Sequence, residues 1–207
     1  MWHNVNSLFM LSAWQIDQFQ PKAFVVENVL GLIQKNNAVL LGLIKKVFDR
    51  LPYEIIMFQQ TSADFGVAQN RQRVFIMGVH KKLGIKPTEP QPKIGTIRQN
   101  IQDVLPDIDY IVNNNYGLHK YYKYQPVCTI TSNANMTKFI NDVESKLTSD
   151  ERAKLSGIPG TYIFEGTESE RCKRIGNMVI PQHMQAIAEH IKYEILGYPK
   201  PEILLAP

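Results

Sequence analysis

Two arginines separated by one residue form the first group in this sequence that could do chemistry. Arg71 and Arg73 stand between a polar turn and the apolar run that ends at Val79. Alternate residues of a strand share a face, so two arginines that enter one strand point their guanidinium groups the same way. Two planar, permanently charged donors side by side suit a phosphate, a carboxylate or the edge of a base. A surface pair bound to a local Asp or Glu fits the pattern equally well.

A carboxylate nearer the start of the chain favours a site. Glu27 directly follows the β-branched run 23–26, which predicts a buried parallel strand. A carboxylate at the C-terminal end of such a strand lies where open α/β sheets bind ligands. A glutamate that faces solvent at a strand end is the alternative. The adjoining Asn28 and the later arginine pair favour a site over that alternative.

Strand and helix patterns alternate around these residues. The predicted helices cover residues 8–19, 39–51, 96–105, 148–155 and 181–196, and the predicted strands cover residues 23–26, 53–58 and 73–79. The helix at 148–155 opens with a capping box, Thr148 and Glu151. A proline-rich stretch predicts an extended connector over 81–93, and 107–136 predicts irregular structure. Strand, helix and strand with short links predict an α/β layer.

The composition excludes several classes of protein. With 44% hydrophobic and 20% charged residues, the chain is typical of a globular protein and not of a disordered one. No apolar run approaches the roughly 20 residues of a membrane span, and no secretory signal is recognised, so we expect no membrane partner and a cytoplasmic location. Cys128 and Cys172 lack the spacing of metal ligands, so no metal site is predicted.

Basic and aromatic residues alternate in one segment of the chain. A net charge of +4 is compatible with a nucleic-acid partner. The predicted nucleic-acid-binding residues are Lys120, Tyr121, Tyr122 and Lys123, with Tyr116 and Tyr124 nearby. Cations interleaved with aromatic rings suit a nucleic-acid backbone and its bases. A tyrosine-rich loop packed on its own domain is an equally good interpretation.

Four segments carry motifs in a fixed order. They are Pro21–Gly31 with Glu-Asn-Val, Asp64–Phe75 with Gln-x-Arg-x-Arg, Lys146–Pro159, and Lys173–Pro181 with Gly-Asn-x-Val. Together they resemble the cytosine-C5 DNA methyltransferases over nearly the whole chain. The resemblance implies the C-terminal part of a Rossmann-like methyltransferase sheet with a small, mostly irregular recognition region. The implied domains are a catalytic part at 1–106, a reduced recognition region at 107–145, and a return to the catalytic domain at 146–207.

The resemblance also implies roles for individual residues. Glu27 would hold a flipped cytosine by its N3 and exocyclic amine, and Arg73 would contact O2 with Arg71 beside it. Gln69 would shape the turn, and Asn28 would serve substrate binding or structure. Asn177 and Val179 would border the pocket for S-adenosylmethionine.

Two expected motifs of the family do not occur in this sequence. They are the Pro-Cys of the nucleophile and the Phe-x-Gly-x-Gly of the cofactor loop, and neither Cys128 nor Cys172 is predicted to be the nucleophile. We therefore expect the C-terminal portion or subunit of a DNA (cytosine-5-)-methyltransferase, active on double-stranded DNA only with an N-terminal half. An open sheet edge predicts association with itself or with that partner. An inactive remnant that binds DNA or a subunit, and an RNA methyltransferase, are the alternatives.

Overall fold

The computed structural model describes residues 3–93, 95–114, 118–133 and 135–201, and side chains from residue 8 onward. The chain divides into two compact units. The first unit comprises Met1–Gln60, Arg73–Gln91 and Ile187–Pro207, and the second comprises Thr61–Gln72 and Pro92–Ala186. The second unit thus takes in residues 61–72 and 92–106, which the sequence assigned to the catalytic part. Strand pairing and core packing, given below, account for this grouping.

A three-stranded sheet forms the centre of the first unit. Its strands are β1 (Ala23–Val29), β2 (Tyr53–Thr61) and β4 (Gln72–His80), in the order β1-β4-β2. Strand β1 runs antiparallel to β4, from Ala23 opposite Val79 to Val29 opposite Arg73. The prediction of a parallel strand at 23–26 is therefore wrong for this pairing. An apolar run reports burial and does not report the direction of the neighbouring strand.

Two helices complete the core of the first unit. Helix α1 spans His3–Phe19 and α2 spans Ala38–Phe48. The ring of Phe24 lies 5.7 Å from that of Phe48 and 5.1 Å from that of Tyr53. A Cβ on Gly78 would stand 2.2 Å from the Phe24 ring, so only glycine lets this aromatic cluster close over β4. The buried core comprises Phe9, Ala13, Ile16, Phe24, Leu32, Leu40, Ile44, Phe48, Leu51, Tyr53 and Ile76.

The second unit contains more regular structure than the sequence predicts. A four-stranded antiparallel sheet has the order β6 (His119–Tyr122), β5 (Tyr110–Asn113), β8 (Met136–Ile140) and β9 (Val143–Lys146). A parallel pair joins β3 (Gln69–Asn70) to β7 (Val127–Cys128). The prediction of irregular structure at 107–136 is wrong, because strands of two to five residues are too short to show a clear alternation.

Short helices pack on this sheet. Helix α3 covers only Ile101–Val104 because Asn100 caps it in a box with Asp103, so the predicted start at 96 is wrong. Helix α4 (Ser149–Leu155) has the predicted capping box. Helix α5 (Glu168–Asn177) was not predicted, although Thr167 and Glu170 give the same Thr-x-x-Glu signal. The buried core of this unit comprises Ala68, Ile101, Leu105, Ile108, Ile111, Val127, Ile130, Met136, Leu147 and Leu155.

The last helix confirms the prediction over 181–196 with one change of geometry. Helix α6 spans Pro181–Glu189 and continues as a π-helical segment, His190–Ile195. Among the described residues, no helix combines the length and the apolar character that a membrane span requires.

Candidate active site

A carboxylate and a guanidinium meet on one face of the sheet in the first unit. Glu27 lies opposite Phe75 and Arg73 lies opposite Val29, so the two side chains are diagonal neighbours across the β1–β4 pair. Nε of Arg73 lies 2.7 Å from Oε1 of Glu27, so the two side chains form an ion pair. The sequence placed these two residues together at a site, and the geometry brings them into direct contact.

This ion pair is largely shielded from solvent. The Arg73 side chain is 11% exposed and that of Glu27 is 22% exposed. Burial lowers the pKa of Arg73, while the negative charge of Glu27 and the hydrogen bond that its carboxylate accepts from Arg73 oppose that shift. A guanidinium keeps its charge under such a shift at neutral pH. The pair therefore presents a fixed positive donor beside a carboxyl group that a ligand can reach.

Asn28 stands apart from this pair. Its neighbour on β4 is Val74, and alternation along β1 turns its side chain to the face opposite Glu27. Its Oδ1 accepts a hydrogen bond from the backbone N–H of Val29 over 2.9 Å. A role in substrate binding stays a prediction, and the contact shown is local to the strand.

Arg71 has different surroundings from Arg73. It lies between β3 and β4, outside either strand, and is 4% exposed. Its backbone is tied to Ser62, whose N–H donates to the Arg71 carbonyl oxygen over 3.0 Å. Only Arg73 enters the strand, as the predicted strand at 73–79 implies, because the chain turns at Arg71 before β4 begins. A catalytic role for Arg71 stays a prediction.

The guanidinium of Arg71 bonds to main-chain oxygens. Nη1 donates to the carbonyl of Ile130 over 3.0 Å, and Nη2 donates to those of Gly176 and Met178 over 3.1 and 2.8 Å. All of these partners belong to the second unit. Sequence reasoning missed them because 59 to 107 positions separate them from Arg71.

Gln69 joins the same network. Its Nε2 donates to Oγ of Ser156 over 2.8 Å, and its Oε1 accepts from the N–H of Ile130 over 3.1 Å. Its carbonyl oxygen accepts from Oγ of Ser62 over 2.6 Å. Gln69 thus binds the turn through its backbone and distant segments of the second unit through its side chain.

Asn177 lines a shallow pocket in the second unit. The pocket has a volume of about 490 Å³ and is lined by Glu170, Lys173, Arg174, Asn177 and Met178. These residues recur at helical spacing along α5 and just beyond its end, so prediction of that helix would have grouped them. Val179 is 37% exposed and lies outside this lining.

The predicted DNA-binding residues do not share one face. Tyr121 packs against the core of the second unit, and burial together with a hydrogen bond to Cys128 raises its pKa to about 12. Tyr122 on the opposite face is 54% exposed. Nζ of Lys120 lies 4.7 Å from the Tyr110 ring centre, and Nζ of Lys123 lies 3.9 Å from a carboxylate oxygen of Asp109. Strand alternation in β6 explains the division, and Tyr116 lies outside the described residues.

Comparison with known proteins assigns the class of this fold. A solved E. coli structure, of a prophage-encoded protein named as a DNA modification methyltransferase, matches 93% of this chain and 75% of its own chain. Its TM-score is 0.75 at 17% identity. The Dnmt2 methyltransferase of S. pombe matches 91% of this chain and 72% of its own, with a TM-score of 0.64 and 15% identity. The α/β methyltransferase fold predicted from the sequence is confirmed.

The family follows from the sequence comparisons. A family model described as C-5 cytosine-specific DNA methylase matches residues 1–140 and 93–193. The chain belongs to this family, and the predicted resemblance is confirmed.

Individual relatives match only part of their own length. The Type II methyltransferase M.HgiCII of Herpetosiphon aurantiacus is 42% identical over 89 residues, which are 43% of this chain and 20% of the relative. M.FnuDI of Fusobacterium nucleatum is 28% identical over 227 residues, covering 86% of this chain and 66% of the relative. M.SsoII of Shigella sonnei is 25% identical over 215 residues, covering 89% of this chain and 56% of the relative. The chain thus spans about half to two thirds of the longer-matching relatives.

Proposed function

We propose that this chain is the C-terminal, base-binding portion of a DNA (cytosine-5-)-methyltransferase. The observation that carries the proposal is the Glu27–Arg73 pair, held at 2.7 Å on one face of β1 and β4. The Watson–Crick edge of cytosine offers an amine, N3 and O2 in a row. A carboxylic acid at N3 and the amine, next to a guanidinium at O2, matches that order of donors and acceptors.

The chemistry gives each group a separate task. Nucleophilic attack at C6 of the flipped base pushes electron density into the ring, and a proton held by Glu27 at N3 stabilises that charge. The Arg73 guanidinium donates to O2, where the same charge develops. The Arg73 side chain is only 11% exposed, so bulk water weakens this interaction little.

The methyl donor implied by the family is S-adenosylmethionine, which supplies an activated methyl group on a sulfonium ion. Its amino-acid end carries a carboxylate and an ammonium group. The pocket beside Asn177 holds Lys173, Arg174 and Glu170, which are the residue types that fit such a zwitterion. In the proposed enzyme, Asn177 orients that end by its amide.

A partner polypeptide supplies the cysteine nucleophile and the cofactor loop. The sequence contains neither Pro-Cys nor Phe-x-Gly-x-Gly. Large apolar side chains on α1 and α2 are exposed, among them Trp14 at 57%, Phe19 at 78% and Val39 at 77%. Exposed apolar surface of this kind is typical of a face that another chain covers.

Complementation with tritiated cofactor tests the proposal. The chain is mixed with an N-terminal half that carries both motifs, together with double-stranded DNA, and label at cytosine C5 is measured. We expect transfer with both halves and a loss of about 10²-fold or more for Glu27→Gln. Glu54→Gln, at an exposed position of β2, serves as the matched control.

Each other outcome identifies an alternative. A mixture that never labels C5 contradicts the proposal and favours a remnant that only binds. Equal transfer by Glu27→Gln and wild type shows that Glu27 has no part in the chemistry. Label that enters RNA and not DNA would assign the chain to an RNA methyltransferase.

A further inference from the structure

The carbonyl partners of Arg71 bracket a single residue. Gly176 and Met178, whose oxygens accept from Nη2, are the neighbours of Asn177 on either side. Asn177 is the last residue of α5, where helix carbonyls have no partner within the helix. A positive charge at that end is also favourable to the helix dipole. Arg71 therefore acts as a C-terminal cap of α5 and fixes the backbone on both sides of Asn177.

A second segment is held by the same side chain. Arg71 also binds the carbonyl of Ile130, and Gln69 binds the N–H of that residue. A Cβ on Gly176 would lie 2.1 Å from the amide nitrogen of Ser132 and 2.3 Å from the carbonyl carbon of Thr131. The end of α5 therefore rests directly on the main chain of residues 131–132. Arg71 donates hydrogen bonds to both segments that meet there, to Ile130 before residues 131–132 and to Gly176 and Met178 at the end of α5.

We infer that Arg71 is a positioning residue for Asn177 and acts on the cofactor pocket and not on the base. The inference rests on the proposed function, in which that pocket holds the amino-acid end of S-adenosylmethionine. Three carbonyl oxygens occupy the fork of Arg71, and the bonds set where the backbone of Asn177 lies. Lysine cannot replace this fork, because one ammonium group does not span the carbonyls of two segments in the same geometry.

Kinetics of the complemented enzyme test the inference. Arg71→Lys should raise the KM for S-adenosylmethionine about tenfold and change the KM for DNA less than about twofold, because a small misplacement of Asn177 affects only the ligand that it contacts. Arg152→Lys is the matched control, since Arg152 is also buried in the second unit and donates to a backbone carbonyl, that of Leu147. We expect the control to leave the KM for the cofactor unchanged. Equal effects of the two variants would make Arg71 a structural residue only.

A double-mutant cycle with Asn177 separates positioning from general weakening. In an Asn177→Ala background, Arg71→Lys should have little further effect on the KM for the cofactor, because the side chain it positions is gone. Additive effects would overturn the inference. A larger effect on the KM for DNA than on the KM for the cofactor would indicate that Arg71 acts on the flipped base.

A measurement on the chain alone keeps the inference separate from the proposed function. Amide hydrogen exchange over residues 174–180 should be faster in Arg71→Lys than in Arg152→Lys. Unchanged exchange would overturn the inference even if the enzyme is active. Loss of transfer by the wild-type halves, with faster exchange in Arg71→Lys, would refute the proposed function and leave the positioning of Asn177 standing.

If Arg71→Lys does not fold, wild-type protein with labelled arginine gives the answer. In the complemented enzyme, the Nε–H resonance of Arg71 should shift when S-adenosylmethionine is added and stay in place when DNA alone is added. A shift with DNA alone would overturn the inference.

Discussion

Two arginines two positions apart in the sequence bind opposite kinds of partner. Arg73 pairs with the carboxylate of Glu27, whereas Arg71 donates to the uncharged carbonyls of Ile130, Gly176 and Met178. A carboxylate that is partly exposed, such as that of Glu27, can give up its contact with Arg73 to a ligand, because water or the ligand can replace that contact. Main-chain carbonyls are part of the fold and cannot leave. The difference shows that one sequence motif can place one arginine against a carboxylate and the other against the main chain.

Replacement of each arginine by methionine should separate these two roles most strongly. Arg71→Met leaves three carbonyl oxygens without this donor, and we expect a loss of about 3 kcal/mol in the free energy of unfolding. Arg73→Met leaves a carboxylate that is 22% exposed and can regain water, so a loss of about 1 kcal/mol is expected. Urea unfolding of both variants, with exposed Arg50→Met as control, measures the difference. Equal losses would break the comparison.

Gly176, whose carbonyl oxygen accepts from Arg71, should tolerate a larger side chain poorly. Gly176→Ala drives a Cβ into the main chain of residues 131–132, which cannot turn aside as a side chain can, so we expect a loss of about 2 kcal/mol. Gly42, inside α2, has no atom within 4 Å of its would-be Cβ, so Gly42→Ala should gain about 0.5 kcal/mol. Thermal unfolding of the two variants should therefore shift in opposite directions. A tolerated Gly176→Ala would mean that segment 131–132 yields easily.

The stability of the second unit should also depend on pH. Burial lowers the pKa of His183 to about 4, although the charge of Asp64 opposes the shift. An unfolded histidine titrates near 6.5, so the unfolded chain binds more protons between these values. The contribution of neutral His183 to the free energy of unfolding is therefore complete above about pH 6.5. It is lost as the pH falls toward 4, by at most about 1.4 kcal/mol per pH unit.

Substitution at His183 provides the check. Urea unfolding at several pH values should give a flatter profile for His183→Gln than for wild type. The exposed His119→Gln should keep the wild-type slope. A profile that His183→Gln leaves unaltered would assign the pH dependence to other groups.

Sequence reasoning reached one arginine and not the other. Glu27 and Arg73 could be placed together because each follows or begins a recognisable strand, and their motifs have a fixed order in the family. The partners of Arg71 could not be found, because carbonyl oxygens carry no side-chain signature and lie up to 107 positions away. Strands such as Tyr110–Asn113 are too short to reveal a pattern. Helix α5 could have been found from Thr167 and Glu170, and the lining of the pocket at Asn177 would have followed.

The close approach of Gly176 to residues 131–132 limits how this chain can be recombined. In the proposed enzyme, residues 107–145 form the recognition region, which could be exchanged between relatives to change the target sequence. A donor segment must nevertheless present a main-chain carbonyl where Ile130 presents its own, and a backbone that leaves the same space for Gly176 where Thr131 and Ser132 lie. A chimera that replaces these three positions without keeping their backbone geometry gains a new surface but loses the contacts that support the end of α5. A graft that ends before Ile130 keeps these contacts.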